Sequence, residues 1–307
     1  MLGAINRSPI RYLFKIHLLP YAAGQRRRAA SVRRHQYTGL AGMKLSRATL
    51  FGGFDVLESR VHRFEYTPHR HAEVVIAAYE GGFKRACCDR HTFEVQCGDL
   101  LVIGPETLHS GSTVDGPGWR YLSIYLSIDQ IAEATGLEAA EIERCLAGHR
   151  VHRRPSSVSD LPIAIGDPLA LGEFLANLCA HQTHDETRQE REPSPAIGRV
   201  RERLNDDPTM PVTLVDLARL ADISPEHLSR RFRAETGLSP FQYLTSLRVR
   251  AARERIAGGS GLAEAALAAG FADQSHMTRW FKRSYGITPG MFAASRSERD
   301  QTRSRRR

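Results

Sequence analysis

LVDLARLADISPEHLSRRFR, residues 214–233, reads as two short helices joined by a tight turn. Leu214, Leu217, Ala218 and Ala221 recur at the three-and-four spacing that puts apolar residues on one helical face. Asp222-Ile223-Ser224 breaks that pattern. Ser224 is a good N-cap, and Pro225 suits the first position of a new helix, where no backbone N–H is required. Leu228 and Phe232 then turn inward, while Glu226, Ser229, Arg230 and Arg233 are left on the opposite face. A small-residue support helix, a short turn and a second helix with a free polar face make a helix-turn-helix unit.

The same plan returns in LAEAALAAGFADQSHMTRWFKR, residues 262–283. Leu262, Ala265, Ala266 and Ala269 pack, Gly270-Phe271 turns, and Asp273 caps. Met277 and Phe281 face inward, while Gln274, Ser275, Thr278, Arg279 and Lys282 face out. Between the two units, Pro240–Ile256 reads as one helix with Phe241, Leu244, Leu247 and Ala251 inward. The two outward-facing helices begin 49 residues apart, at 225 and 274. A rigid helix between them holds both at a fixed separation, as reading successive major grooves roughly 34 Å apart requires.

With these motifs in place, residues 196–294 closely resemble the DNA-binding region of the AraC/XylS family of transcription regulators. The resemblance rests on Arg-x-Phe before Thr-Gly-x-Ser-Pro, on a Leu-Arg…Ala-Arg helix, on Ala-Gly-Phe-x-Asp-x-Ser, and on Trp-Phe-Lys…Gly-Ile-Thr-Pro. Three positions depart from the family pattern. Met277 stands where Phe is usual, Ala293 stands where Arg is common, and Gly258–Gly261 is glycine-rich. The resemblance implies base reading by Glu226, Ser229 and Arg230 in the first unit and by Gln274, Ser275 and Arg279 in the second. The chemistry agrees: Arg pairs bidentately with guanine, Gln with adenine, and Glu accepts from cytosine N4. Arg233, Thr278 and Lys282 read as phosphate contacts, which add affinity but carry no sequence information.

Residues 45–127 have a different texture. Val74–Tyr79, Thr92–Val95, Leu100–Ile103 and Trp119–Leu126 are short apolar stretches. Turn signals separate them at Gly81-Gly82, Gly98-Asp99, Gly104-Pro105 and Gly116-Pro117-Gly118. Many short strands at this spacing indicate an antiparallel barrel or jelly roll. His69 and His71, two apart on an extended chain, point to one side. His109 ends a later strand. PHRHAE and GDLLVIGPETLH resemble the two cupin motifs and, more closely, the small-molecule-binding arm of AraC-type regulators. That resemblance implies a pocket built from His69, His71 and His109, with Tyr79, Trp119 and Tyr121 as its walls. His69, His71, Glu73 and His109 are also suitable ligand types for Zn²⁺, Fe²⁺ or Mn²⁺. Metal cupins place their carboxylate further along than Glu73, so the metal-free pocket is the preferred reading and no cofactor is assigned. Cys87-Cys88 and Cys97 suggest a redox pair, but adjacent cysteines make a strained disulfide. Buried structural cysteines are therefore expected.

Residues 128–195 form a helical connector and linker. Ile128–Ala147 reads as helical, with Ile131, Ala134, Ile142 and Leu146 on one side. A Pro- and Ser-bearing stretch follows over 153–168, then a helix over 169–182, then a polar linker over 183–195. Leu171, Phe174, Leu175 and Leu178 form a stripe that either covers the barrel or, as the resemblance implies, pairs with a second chain.

The 307 residues carry 43 Lys and Arg against 34 Asp and Glu, a formal charge of +9. That excess is not evidence for DNA binding, because residues 1–42 hold eight basic side chains and no acid. Without them the charge is +1. This leader (1–44 as a segment) reads as a disordered basic arm or as translation from a start upstream of Met43, in preference to a targeting peptide interrupted by Arg11 and Lys15. The tail 295–307 is again basic. Five cysteines without metal spacing point to a reducing cytoplasm. No run of about 18 apolar residues is long enough to span a membrane. A Ser-His-Asp order, a phosphate-cradling Gly-rich loop and a His-Glu-x-x-His motif are all missing.

The expectation is an α+β chain: a cupin-like β-barrel or jelly roll at 45–127, a helical connector at 128–195, and an all-α domain with two helix-turn-helix units at 196–294. Its function is sequence-specific transcription regulation controlled by a small molecule, without catalysis. The alternative is a metal-dependent cupin enzyme fused to a DNA-binding module. The expected partners are double-stranded DNA and a small-molecule effector, with RNA polymerase and a second copy of the chain implied by the resemblance.

Overall fold

The computed structural model describes residues 37–38, 42–89, 91–113, 118–153, 161–180 and 193–304. The leader 1–36, residues 154–160 and the linker residues 183–192, all read above from sequence, lie outside the described residues, as do Gly116-Pro117 and the last three arginines.

The N-terminal half is an antiparallel sheet of ten strands among the described residues. The order β1(Tyr37–Thr38), β2(Met43–Ala48), β3(Phe54–Val61), β9(Trp119–Leu126), β5(Val74–Cys88), β7(Leu100–Ile103), β10(His149–His152) forms one path. Strands β4(Glu65–His69), β6(His91–Gln96) and β8(His109–Thr113) pair around the second half of β5 and complete a barrel-like curl.

Strand β5 belongs to both parts. Its first half pairs with β7 and β9, and its second half with β6 and β8. Gly81-Gly82 is therefore not the separating turn expected from sequence. It is a corner inside a 15-residue strand, with a register shift against β9 between Tyr79 and Gly81. Gly82 has φ +75, and a Cβ there would sit 1.7 Å from the Gly118 carbonyl oxygen. Only glycine fits both the left-handed backbone and this close approach.

Alternate residues of these strands serve two cores. Val74, Ile76 and Ala78 of β5, with Leu122, Ile124 and Leu126 of β9, face a layer of helices. Val75, Ala77 and Tyr79, with Trp119 and Tyr121, face the barrel interior. Burial on both faces explains why these strands are continuously apolar.

The covering layer is α1(Ile128–Thr135), α2(Ala139–Leu146), α3(Leu161–Ala164) and α4(Pro168–Ala180). The helical stretch 128–147 is divided into α1 and α2. The first has a capping box from Ser127 and Gln130 and ends at Gly136 in the left-handed region, which closes the helix. Leu171, Phe174, Leu175 and Leu178 are buried against the sheet in the same chain. Strand β10 was not foreseen, because HRVH carries no apolar alternation; it extends the sheet by pairing with β7.

The C-terminal half is helical: α5(Pro195–Asp206), α6(Leu214–Ala221), α7(Pro225–Thr236), α8(Pro240–Ala257), α9(Leu262–Ala268), α10(Gln274–Tyr285) and α11(Pro289–Ser304). Helix α8 is shared by two cores. Tyr243, Leu244 and Leu247 pack with α5, α6 and α7. Val249, Ala252 and Ile256 pack with α9, α10, α11 and the barrel interior. Phe241, expected inward, is 45% exposed, because the helix turns Tyr243 and Leu244 into the first core instead. Among the described residues no helix is long and apolar enough to cross a membrane.

Candidate DNA-reading helices and the barrel interior

Both turn-helix units are fixed by local hydrogen bonds at the places the sequence indicated. Thr213 and Asp216 form a capping box at the start of α6. Asp222 takes the left-handed conformation at its end, and the Ile223 N–H donates to the Ala218 carbonyl at 3.1 Å. Ser224 Oγ then accepts from the His227 N–H at 3.2 Å and starts α7. In the second unit, Asp273 Oδ1 accepts from the His276 N–H at 2.7 Å and starts α10. Leu228, Phe232, Met277 and Phe281 are fully buried, which sets the rotation of each helix about its own axis.

That rotation leaves Glu226, Arg230 and Arg233 of α7 exposed and Ser229 half-buried beside them. On α10 it leaves Gln274, Ser275 and Arg279 exposed, with Thr278 and Lys282 half-buried. Among the described residues, none of these side chains spends its charge in an ion pair within the protein. The neighbouring charges are spent: Arg231 bonds Glu235 at 2.8 Å, and Glu235 also accepts from the Ser194 N–H at 2.7 Å.

The two units differ in their relation to the barrel. Helix α10 lies on β4, where the hydroxyls of Thr67 and Ser284 are 3.4 Å apart. Tyr285, Ile287 and Phe292 join the core of the barrel interior. From α8, Arg253 donates to Glu73 at 2.6 Å and lies 3.5 Å from Asp55, and Arg250 holds both oxygens of Glu106 at 2.8 and 2.9 Å. Arg296 of α11 also bonds Asp55. Burial alone would lower the Arg253 pKa, but Glu73, Tyr285 and Asp55 outweigh it, so this cation is fixed. A cavity of 510 Å³ opens between the barrel and the first unit, bounded by Arg70, Glu106, Arg201, Asn205, Tyr243 and Arg250.

Inside the barrel the structure brings together all six residues picked out as pocket residues. His69, His71, Tyr79, Trp119 and Tyr121 are buried and His109 half-buried. The His69 and His109 rings are 4.3 Å apart between centroids, and those of His71 and His109 4.7 Å. Tyr79 and Tyr121 lie 5.2 Å apart. Burial pushes the His69 pKa down to about 3, with help from neighbouring His71, and lowers those of His71 and His109 as well. Burial thus favours the neutral form of all three imidazoles.

Glu73, considered above as a fourth metal ligand, is not part of this group. Its carboxylate turns to Arg253 instead. Burial would raise the Glu73 pKa, but the Arg253 charge outweighs that and lowers it.

Tyr66, Lys84 and Arg253 were missed. Tyr66 shares a 2.8 Å hydrogen bond with the Tyr121 hydroxyl. The Lys84 ammonium stands over the rings of Tyr66, Tyr121 and Trp119 at 5.0, 5.4 and 5.5 Å. Burial lowers its pKa to about 8. Alternation with Ala86 and Cys88, beyond the β5 corner, is the sequence signal for Lys84. Among the described residues no disulfide joins the cysteines: Cys88, Cys145 and Cys179 are buried, Cys87 half-buried. Cys97 is exposed, contrary to expectation, because it follows β6 in the turn at Gly98-Asp99.

Comparison with known proteins agrees with this anatomy. The family model described as "AraC-like ligand binding domain" matches residues 51–165, and that described as "Helix-turn-helix domain" matches 217–295. The HTH-type transcriptional regulator YbfI of Bacillus subtilis is 30% identical over 231 residues, which cover 69% of this chain and 82% of its own. RipA, an HTH-type transcriptional regulator of Corynebacterium diphtheriae, is 34% identical over 128 residues, 41% of this chain and 38% of its own. Among solved structures, an apo form of ToxT from Vibrio cholerae aligns over 85% of this chain and 100% of its own, with a TM-score of 0.47 and 10% identity. A domain matching the AraC-like ligand-binding model, followed by a helix-turn-helix domain, in a chain related to YbfI along most of both lengths, places this protein in the AraC/XylS family of DNA-binding transcription regulators.

Proposed function

We propose that α7 and α10 read successive major grooves of one DNA site. Glu226, Ser229 and Arg230 contact base edges in one groove, and Gln274, Ser275 and Arg279 in the next. Arg233, Thr278 and Lys282 grip phosphates. The observation that carries this reading is the pair of capped helices whose outward polar faces make no ion pair with the rest of the described protein, both rooted in α8. The working units are the sensor at 45–127, the connector at 128–195 and the reader at 196–294, with a basic leader and a basic tail. The effector occupies the barrel interior, against His69, His71, Tyr79, His109, Trp119 and Tyr121.

The protein works in the cytoplasm as a regulator without catalysing a reaction, in keeping with relatives named as transcription regulators. It meets RNA polymerase at promoters and forms a homodimer. The dimer uses surfaces other than the Leu171 to Leu178 stripe, which the sheet already covers. An effector changes output by binding one arrangement of barrel and reader better than the other.

The test is retention of fragmented genomic DNA from the source organism on the purified full chain, followed by sequencing. A few sharp sites with two boxes about one helical turn apart are expected. Retention without sequence preference, rising steeply as salt falls, would replace specific reading with purely electrostatic binding.

A further inference from the structure

We propose that His69, His71 and His109 form a three-histidine site for a divalent transition-metal ion of borderline softness, such as Zn²⁺, Fe²⁺, Co²⁺ or Ni²⁺, with the remaining coordination open to an oxygen donor from outside the protein. This deepens the reading of the barrel interior as the effector chamber.

His69, the last residue of β4, stands opposite His109, the first of β8, and His71 follows two residues beyond the end of β4. One ligand nitrogen from each of the three histidines lies within 4.8 Å of the other two. Bonds of about 2.0–2.1 Å to one ion put tetrahedral nitrogens ~3.3 Å apart, so the rings must close by roughly 1.5 Å at most. Rotation about the soft terminal torsion of histidine supplies a movement of that size.

Hydrogen bonding prepares the nitrogens. His69 Nδ1 is 2.8 Å from the Thr67 carbonyl, His71 Nδ1 is 2.8 Å from the Glu73 carbonyl, and His109 Nδ1 is 2.9 Å from the Thr107 carbonyl. A carbonyl only accepts, so each Nδ1 carries the proton and each Nε2 presents its lone pair. Backbone carbonyls fix tautomer and ring orientation in this way behind metal-ligating histidines. His71 Nε2 is buried without a hydrogen-bond partner among the described residues, on a residue only 2% exposed. A buried acceptor with no donor is uncommon and costs stability unless something fills it.

The donor set selects the ion. Three imidazoles with no carboxylate favour borderline metals over Mg²⁺ and Ca²⁺, which demand oxygen. The ligands leave the +2 charge of the ion uncompensated, since Arg253 engages Glu73. Lys84 adds a further cation among the interior rings. An anionic oxygen, such as an effector carboxylate, suits the open position best.

The test uses the untagged full chain, stripped with chelator and titrated with Co²⁺ alone. One equivalent is expected, with the visible ligand-field absorption of a low-coordinate nitrogen-and-oxygen site. His71→Ala and His109→Gln should each weaken Co²⁺ binding by at least about 10-fold. His62→Ala, on an exposed loop residue, should leave it unchanged. Circular dichroism confirms that each variant is folded. Less than about a tenth of an equivalent bound by the wild-type chain at excess Co²⁺ overturns the proposal, whatever the variants do. So does undiminished binding in folded His71→Ala. Metal is scored on the DNA-free protein, so failure here leaves the DNA-reading proposal standing, and failure to find DNA sites leaves this one standing.

Discussion

Arg253 and Glu73 are 180 positions apart in the chain and 2.6 Å apart in space, and their contact ties α8, which packs with both helix-turn-helix units, to the residue just before β5. Arg253 also lies over the rings of Tyr285 and Phe292, so the barrel, α10 and α11 meet at one guanidinium. Arg253→Met strands the mostly buried Glu73 carboxylate and should cost about 3 kcal/mol. Adding Glu73→Gln should recover part of that loss, because the two effects are coupled. Denaturant titration of the three variants measures both. The lowered Glu73 pKa fixes the pH dependence: the contribution of the pair is present above the ordinary glutamate value of about 4.3 and lost as pH falls through the lowered one. In Arg253→Met the buried, unpaired Glu73 titrates above its ordinary value, so the gap to wild type should begin to narrow above about pH 4.3 and go on narrowing as pH falls through the lowered wild-type value.

Arg279 is exposed on α10 and makes no ion pair among the described residues, whereas Lys282 lies half-buried one turn along. Arg279→Ala should weaken binding by about 1–3 kcal/mol and relax preference at one base pair. Lys282→Ala should weaken all sequences alike and reduce the salt slope by about 1. Binding to a panel of single-base variants of the recovered site, at several salt concentrations, separates the two. Equal loss on every sequence with Arg279→Ala would reassign it to phosphate.

Gly270 turns the second unit with φ +83, and a Cβ there would meet the Thr209 Cα at 2.9 Å. Gly270→Ala should therefore cost about 1–2 kcal/mol for the left-handed backbone alone, plus the displacement of the Thr209 backbone. Thermal unfolding reads the loss. The same substitution at Gly198, where a Cβ meets nothing within 4 Å in a helix, should be neutral or slightly stabilising.

The cysteines should sort by exposure. Cys97 is exposed and should be labelled by a thiol reagent within minutes under native conditions. Cys88 and Cys179 are buried, and burial pushes both thiols up, that of Cys179 to about 11. Little thiolate exists to react at pH 8, so both should stay unlabelled until the protein unfolds. Mass spectrometry of partly labelled protein resolves the sites.

What was legible in the sequence was local. Ser224, Pro225 and Asp273 announce helix starts by bonds that span three residues, and Leu228, Phe232, Met277 and Phe281 announce buried faces by periodicity. The His69-x-His71 pair shows its convergence through strand alternation. The misreadings involve distant partners. Gly81-Gly82 looks like a turn until Gly118 is seen against it, and Phe241 looks buried until Tyr243 and Leu244 claim the first core. Glu73 looks like a ligand until Arg253 engages it. A strand such as HRVH, with no apolar pattern of its own, is specified by the open edge of β7.

Helix α8 contributes one end to the first reader's core and the other to a core shared with the second reader and the barrel. On the proposed reading, the stagger between α7 and α10 is a fixed gauge, built into a single rod of 18 residues. A signal from the barrel has no cheap way to stretch or shorten that gauge, because doing so breaks α8 itself. It can only seat or unseat the rod as a whole. Altering the spacer between two DNA boxes by half a helical turn should then abolish binding in every effector state, whereas an effector should shift occupancy without changing which spacing is accepted.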